Sequence, residues 1–367
     1  LFYMVPFLFL LFSEPASEGE NETSYLSTFI KSITIIAVIN DLVGLVQIFL
    51  NPGSDDSFLG IYSQFSISIN GLMLINTFLF FYYLVQFIYK KRFRSLLAGL
   101  FFLACSILGF YGAGLIMCLI AFILAFLRSS EKAIVKTVAI SVVSLLFIYF
   151  ALLMIKPQVL EYNLANIKKI SSFDINNGPR KIKSFYNYGI SYPRDIKDFL
   201  LGSGPGTFNS RTAFMVGSPS YFTSLSVIKD DDQPYYFKNY AYTLWNETNT
   251  IQSLYLDGFR NQPFSSLLAF LGEYGLIFFL SFLFLFYYYF LSVSKLYRKV
   301  AYSPDAQVSF RFFKFLMILL PLLLLIDNYY EYPEIMLLLL IGIKFSHGNL
   351  ITIKQNSSNA VFEETKF

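Results

Sequence analysis

The chain has 367 residues, 55% of them hydrophobic and 14% charged, with a mean hydropathy of +0.54. A soluble domain carries about 25% charged residues, so this composition excludes a soluble fold of this length, for want of polar surface to cover it. The net charge of +4 is too small to point to nucleic acid and matches what basic loops beside a membrane leave over.

A spanning helix needs about 20 apolar residues. In chain order the apolar runs are Leu1–Phe12, Phe29–Leu50, Phe65–Tyr89, Ser95–Leu127, Ala133–Ile155, Phe264–Val293, Phe310–Ile326 and Pro333–Phe345. The first opens at Leu1 rather than Met, as expected of a chain cut short at its N-terminus. Ser95–Leu127 is too long for one helix. Gly109, Gly112 and Gly114 interrupt it, so two short helices with a turn near Phe110–Ala113 are expected. Aromatic residues make up 19% of the chain, with 43 Phe and 27 Tyr, which suits lipid-facing helices with interfacial belts.

Lysine and arginine near span ends set the orientation. Lys90, Lys91, Arg92 and Arg94 mark one inner loop, and Arg128, Lys132 and Lys136 the next. The run between them must therefore go out and return, which supports the hairpin independently. Lys295, Arg298, Lys299, Arg311 and Lys314 mark a third inner loop, and Lys344 and Lys354 place the C-terminus inside. Glu14, Glu18, Glu20 and Glu22 also fall inside, but acidic residues count little in this rule. The expected architecture is an all-α multi-pass bundle of about 8–10 spans. Spans fill residues 1–155, a large and mostly helical extracytoplasmic loop fills 156–263, further spans fill 264–346, and 347–367 form a cytoplasmic tail.

Candidates for chemistry concentrate in the large loop. It holds Arg180, Arg194, Arg211 and Arg260, with Lys168, Lys169, Lys181 and Lys183. A guanidinium grips phosphate through a planar fork, so arginines above a membrane suit a diphosphate headgroup, although solvated surface charge or contact with anionic lipid explains any one of them. Leu200–Phe208 reads LLGSGPGTF. Gly202, Gly204 and Gly206 permit tight turns and close approach of a ligand. No Gly-Lys-Ser/Thr follows and no βαβ unit surrounds it, so it is neither a Walker loop nor a dinucleotide fingerprint, and a plain turn remains open. Where the loop re-enters the membrane, Leu267–Phe279 reads LLAFLGEYGLIFF. A carboxylate at the depth of Glu273 faces protein or a water-filled cavity. It is a candidate base or a partner for an arginine, as are Asp257, Glu247, Asp327 and Glu331 on the same side. Asp41, within the second run, must face the bundle interior by the same cost. Trp245 and the loop tyrosines suit either sugar stacking or interfacial anchoring.

Other residues carry less. Cys105 and Cys118 lie in apolar runs and form no disulfide framework or metal-ligand spacing, and Asp230–Asp232 are adjacent and do not converge on one ion. His347, the only histidine, falls on the inner side.

The order of these features resembles the O-antigen ligase and O-antigen polymerase superfamily of bacterial membrane glycosyltransferases, over roughly Phe29 to Phe345. The matching elements are the paired spans Ser95–Leu127, the span Ala133–Ile155, Arg180, the glycine segment Leu201–Phe208 and Glu273–Gly275. Two features depart from the family pattern. Phe110–Ala113 reads FYGA where a Ser-Arg is common, and Arg260–Ser266 reads RNQPFSS where ligases carry a His. The second departure favours the polymerase branch.

The resemblance implies polymerisation of undecaprenyl-diphosphate-linked repeat units into O-antigen, capsule or exopolysaccharide at the outer face of the bacterial inner membrane. It implies no metal or other cofactor, with Glu273 or Asp257 as base and the four loop arginines with Gly202, Gly204 and Gly206 binding diphosphate and glycan. A flippase and a chain-length regulator are the expected partners beside the lipid bilayer. The alternatives are a ligase moving glycan onto lipid A core, a polysaccharide or lipid transporter, and a non-enzymatic assembly subunit.

Overall fold

A computed structural model describes residues 25–50, 58–61, 68–109, 112–127, 149–150, 153, 161, 180–192, 195–210, 212–213, 233–244 and 265–364. Among these residues every regular element is helical. Five helices are long and apolar enough to cross a membrane, and two shorter apolar ones accompany them. The chain is a multi-pass helical membrane protein. The runs at 1–12 and 133–155 lie wholly or largely outside the described residues.

In chain order the helices are α1 (Tyr25–Leu50), α2 (Ser68–Lys90), α3 (Phe93–Leu108), α4 (Gly112–Phe126), α5 (Arg180–Ser191), α6 (Ile196–Leu201), α7 (Ser266–Val300), α8 (Pro304–Ile326) and α9 (Pro333–Glu364). The glycine-broken run is indeed two helices: α3 ends at Leu108, Gly109 caps it, and α4 starts at Gly112. The final helix does not stop at Phe345, where a tail was expected, but runs on to Glu364. Leu350 on that extension is fully buried, so packing continues beyond the end of the apolar run.

The chain divides into two compact units. One comprises residues 2–148, 288–321 and 334–367. Its faces follow from helical spacing. On α1, Leu26, Ile30, Ala37, Asn40, Asp41 and Gly44 are buried, whereas Ile35, Ile36, Ile39, Leu42, Val46 and Phe49 are exposed, the split expected of a helix with a bundle side and a lipid side. Phenylalanines fill the interior. Phe81 of α2 stacks on Phe315 of α8 with ring centroids 3.9 Å apart, and Phe78 meets Phe312 edge-on at 4.7 Å. Phe29 of α1 meets Phe345 of α9 at 5.4 Å. Lys90 and Asp305 form an ion pair.

Arg311 of α8 is buried and bonded through two of its nitrogens. Its Nη1 donates to the Ala125 carbonyl at 3.0 Å and its Nε to the Tyr89 hydroxyl at 3.2 Å, and it lies 5.7 Å from the Phe126 ring centre. The Ala125 carbonyl sits in the last turn of α4, where helical carbonyls lack partners. A lysine reproduces one bond but not the fork. Arg311→Lys is expected to cost about 1–2 kcal/mol, measured as a lower unfolding midpoint in detergent. An unchanged midpoint would mean that the fork holds nothing.

A short strap, residues 58–61, irregular at 58–59 and 3₁₀ at 60–61, is also built into this unit. Gln47 Oε1 accepts from the N–H groups of Leu59 and Gly60, Gln47 Nε2 donates to the Gly60 carbonyl, and Asn40 Oδ1 accepts from Ile61 N–H. Asn40 lies ten residues before the end of α1, about 15 Å along the axis. Irregular backbone at such depth is tolerated where protein groups satisfy it, and these two side chains do so.

The other unit comprises residues 149–287 and 322–333. It holds α5, α6, a π-helical turn at Phe237–Ala241, the first part of α7, and a 3₁₀ turn at Tyr329–Glu331. Every described candidate for chemistry except Asp41 and His347 lies in it.

Candidate functional site at the glycine-rich loop

The site begins with a break in α7. Gly275 has φ +81° and ψ 172° inside an otherwise helical stretch, a conformation available to glycine almost alone. The break releases carbonyls that a continuous helix would use internally. The glycine-rich loop collects them. Ser203 N–H and Oγ–H donate to the Gly272 carbonyl at 2.8 and 3.1 Å, Tyr192 O–H donates to the same carbonyl at 2.5 Å, and Gly204 N–H donates to the Glu273 carbonyl at 3.0 Å.

The side chain of Glu273 completes the union. Its Oε2 accepts from Gly206 N–H at 2.6 Å, and its Oε1 accepts from the N–H groups of Phe208, Asn209 and Ser210 at 3.1, 3.1 and 2.9 Å. The residue is 1% exposed. Three backbone donors converge on Oε1 and one on Oε2, so the loop holds the carboxylate at both oxygens. The segment 206–210 thus curls round the carboxylate as a nest of N–H groups. Sequence reasoning singled out the glycines and Glu273 separately, and the structure brings them together.

Two glycines make the approach possible. A Cβ on Gly202 would lie 2.4 Å from the Glu273 backbone, and one on Gly275 would lie 2.4 Å from the Leu200 carbonyl oxygen. Close by, Phe208 packs on Gly272, where a Cβ would come within 2.2 Å of its ring.

Asn209 ties further elements to the nest. Its Nδ2 donates to Ser184 Oγ of α5 at 3.2 Å, its Oδ1 accepts from Ser265 N–H at 2.7 Å, and its carbonyl accepts from Asn328 Nδ2 at 3.0 Å. Asn209, Ser184, Ser265 and Asn328 are all buried. Sequence reading passed over Asn209, because a lone Asn after a glycine turn carries no signal that separates it from loop polarity. Glu331 Oε1 accepts from Thr212 N–H at 3.1 Å and Thr212 Oγ1–H at 2.8 Å. Ser210 and Thr212, on either side of Arg211 in the sequence, are therefore each held by a carboxylate.

Electrostatics around the nest are set by burial. Lys181 of α5 is 7% exposed. Burial pulls its ammonium below the usual lysine range, and the Asp327 carboxylate opposes the shift. Burial pushes the Tyr330 hydroxyl well above the usual range, and the charges of Glu273 and Glu331 add to this, so the phenol stays protonated. Tyr192, Phe208, Tyr236 and Leu268 form an apolar cluster with Phe185, Tyr188 and Tyr240 packed against it. The first three rings are buried and the other three partly so. Tyr186 and Tyr235 are 44% and 45% exposed.

Of the remaining candidates, Arg180 is the first residue of α5 and its side chain lies outside the described part. Arg194, Arg211, Arg260, Asp257, Glu247 and Trp245 lie outside the described residues. Asp327 precedes the Tyr329–Glu331 turn and Glu331 is its last residue. Comparison with known protein families, curated proteins and solved structures finds no match for this chain.

Proposed function

We propose that this protein is a membrane glycosyltransferase that polymerises lipid-diphosphate-linked oligosaccharide repeat units at the outer face of a bacterial cytoplasmic membrane. The observation that carries the reading is the joining of LLGSGPGTF to Glu273–Gly275. These are the two segments on which the family resemblance chiefly rests. They lie more than sixty residues apart and form one hydrogen-bonded body. That body also holds α5, which Arg180 opens, through the Asn209–Ser184 bond.

In this reading Glu273 is a positioning residue, because the loop's backbone N–H groups hold both of its carboxylate oxygens. A hydroxyl of one lipid-linked repeat attacks the anomeric carbon of the growing glycan. The new C–O bond forms as the bond to the lipid diphosphate breaks, and the diphosphate leaves with the electron pair. Asp257 takes the hydroxyl proton. Arg180, Arg194, Arg211 and Arg260 offset the charge developing on the leaving group. The ligase reading is weaker because RNQPFSS supplies no histidine.

The test uses the protein in lipid with one lipid-linked repeat as sole substrate. A ladder of multiples is expected. Transfer only after lipid A core is added would make it a ligase, and no transfer in either case would overturn the enzyme reading. Arg180→Ala is expected to slow chain growth by about 10²-fold or more, the usual cost of losing one donor to developing negative charge. Protein level should stay normal. Unchanged product length in that variant would remove Arg180 from the site.

A further inference from the structure

The other unit carries a buried carboxyl that glycan transfer does not use. Asp41 of α1 and Asn76 of α2 are both 0% exposed. Asn76 Nδ2 donates to Asp41 Oδ1 at 2.7 Å. Among the described residues, Asp41 Oδ2 and Asn76 Oδ1 are buried with no hydrogen-bond partner. Both orphans are acceptors when the carboxyl is ionised, and they belong to two groups already joined by one bond. A single proton removes both deficits at once. Placed on Oδ2, it turns that oxygen into a donor, and Asn76 Oδ1 is the acceptor left over.

The surroundings favour the neutral form. The titratable group facing Asp41 is the Cys105 thiol of α3, a weak donor that reaches the carboxyl group but leaves Oδ2 without a partner among the described residues. Cys105 itself packs in an apolar cluster with Phe58 and Leu72. Phe58 belongs to the strap held by Asn40 and Gln47, and it presses on Gly44, where a Cβ would come within 2.7 Å of its ring. Neither α2 nor the strap presents a cation to Asp41 among the described residues. An ionised carboxylate sealed in this way, with one neutral amide and one thiol for company, is held at high cost in a membrane interior.

We propose that Asp41 is an intramembrane proton-binding site, protonated on Oδ2 and closed with Asn76 into a cyclic acid–amide pair. The proton is taken from water and no other bond changes. The site stands independently of the glycan reading.

Infrared spectroscopy of the full chain in lipid, with aspartate carboxyls labelled with ¹³C, tests this. At neutral pH a protonated-carboxyl stretch is expected that moves with the label and is lost in Asp41→Asn, which keeps the shape of the neutral acid. Absence of any label-sensitive protonated band would overturn the proposal. Should Asp41→Asn not fold, Asn76→Leu decides. Loss of the amide donor must raise the band frequency, and an unmoved band places the proton elsewhere. Disappearance of the wild-type band on adding sodium chloride would also overturn it, since the site would then bind sodium in place of the proton.

Discussion

Glu273→Ala is expected to melt the 206–210 segment while leaving the distant helices intact. Four backbone N–H groups converge on the carboxylate, and three of their owners, Phe208, Asn209 and Ser210, are fully buried. A buried donor left without a partner costs about 1–3 kcal/mol. The loop must either tolerate several such donors or open to water. The expected loss is therefore at least about 4 kcal/mol of local stability, read as rapid hydrogen exchange at amides 206–210 that are protected in the wild type.

Glu273→Gln separates holding from proton transfer. The carboxamide keeps one acceptor oxygen and adds two donors. Its best orientation gives the oxygen to Phe208, Asn209 and Ser210 and turns the NH₂ toward Gly206 N–H, donor against donor. Partial deprotection is expected, greatest at Gly206 and smaller than in Glu273→Ala. A residue acting as general base would behave differently. Glu273→Gln would then abolish transfer while all four amides kept their wild-type exchange rates, and that outcome would sink the positioning role.

How much of this was legible beforehand differs from element to element. The spans were readable because a lipid-facing helix advertises itself through composition. The hairpin of α3 and α4 was readable because glycines fell where an over-long run had to turn. The end of α9 was not. Hydropathy falls after Phe345, but a helix ends where its backbone loses partners or packing, and the buried Leu350 keeps α9 in place. At the site, glycines and a membrane-depth carboxylate each drew attention by cost: unusual backbone freedom, and charge where charge is expensive. Their partnership was invisible, since nothing local to residue 273 specifies residues 206–210. The same limit hid Asn209, whose role lies wholly in what tertiary structure brings to it.

Gly202→Ala and Gly275→Ala are each expected to break the junction, and together to cost little more than either alone. Gly202 has φ +82° and ψ 166°, and Gly275 has φ +81° and ψ 172°. A side chain in that region costs about 1–3 kcal/mol before any contact is counted. Contact then adds more, because the obstructing atoms are backbone. The new Cβ at 202 would lie 2.6 Å from Gly275 N, and the one at 275 would lie 2.5 Å from Gly202 N. Neither neighbour can rotate away as a side chain could, so relief requires the loop and the broken helix to part. Each variant should lose about 2–6 kcal/mol, the sum of backbone strain and an overpacking cost of similar size.

Once the segments have separated, the second substitution meets no obstacle, which is why the pair should be strongly non-additive. Two other alanines calibrate the effect. A Cβ on Gly204, φ +104°, meets only a methyl at 3.7 Å, so Gly204→Ala should show backbone strain alone. A Cβ on Gly71 of α2 meets nothing within 4 Å among the described residues and should be neutral or slightly stabilising, as alanine is favoured over glycine in a helix. Unfolding midpoints and exchange at 203–210 in the four single variants and the double give the comparison. Additive losses at 202 and 275 would mean that the two glycines act separately, and that the loop and the helix break are not one structural unit.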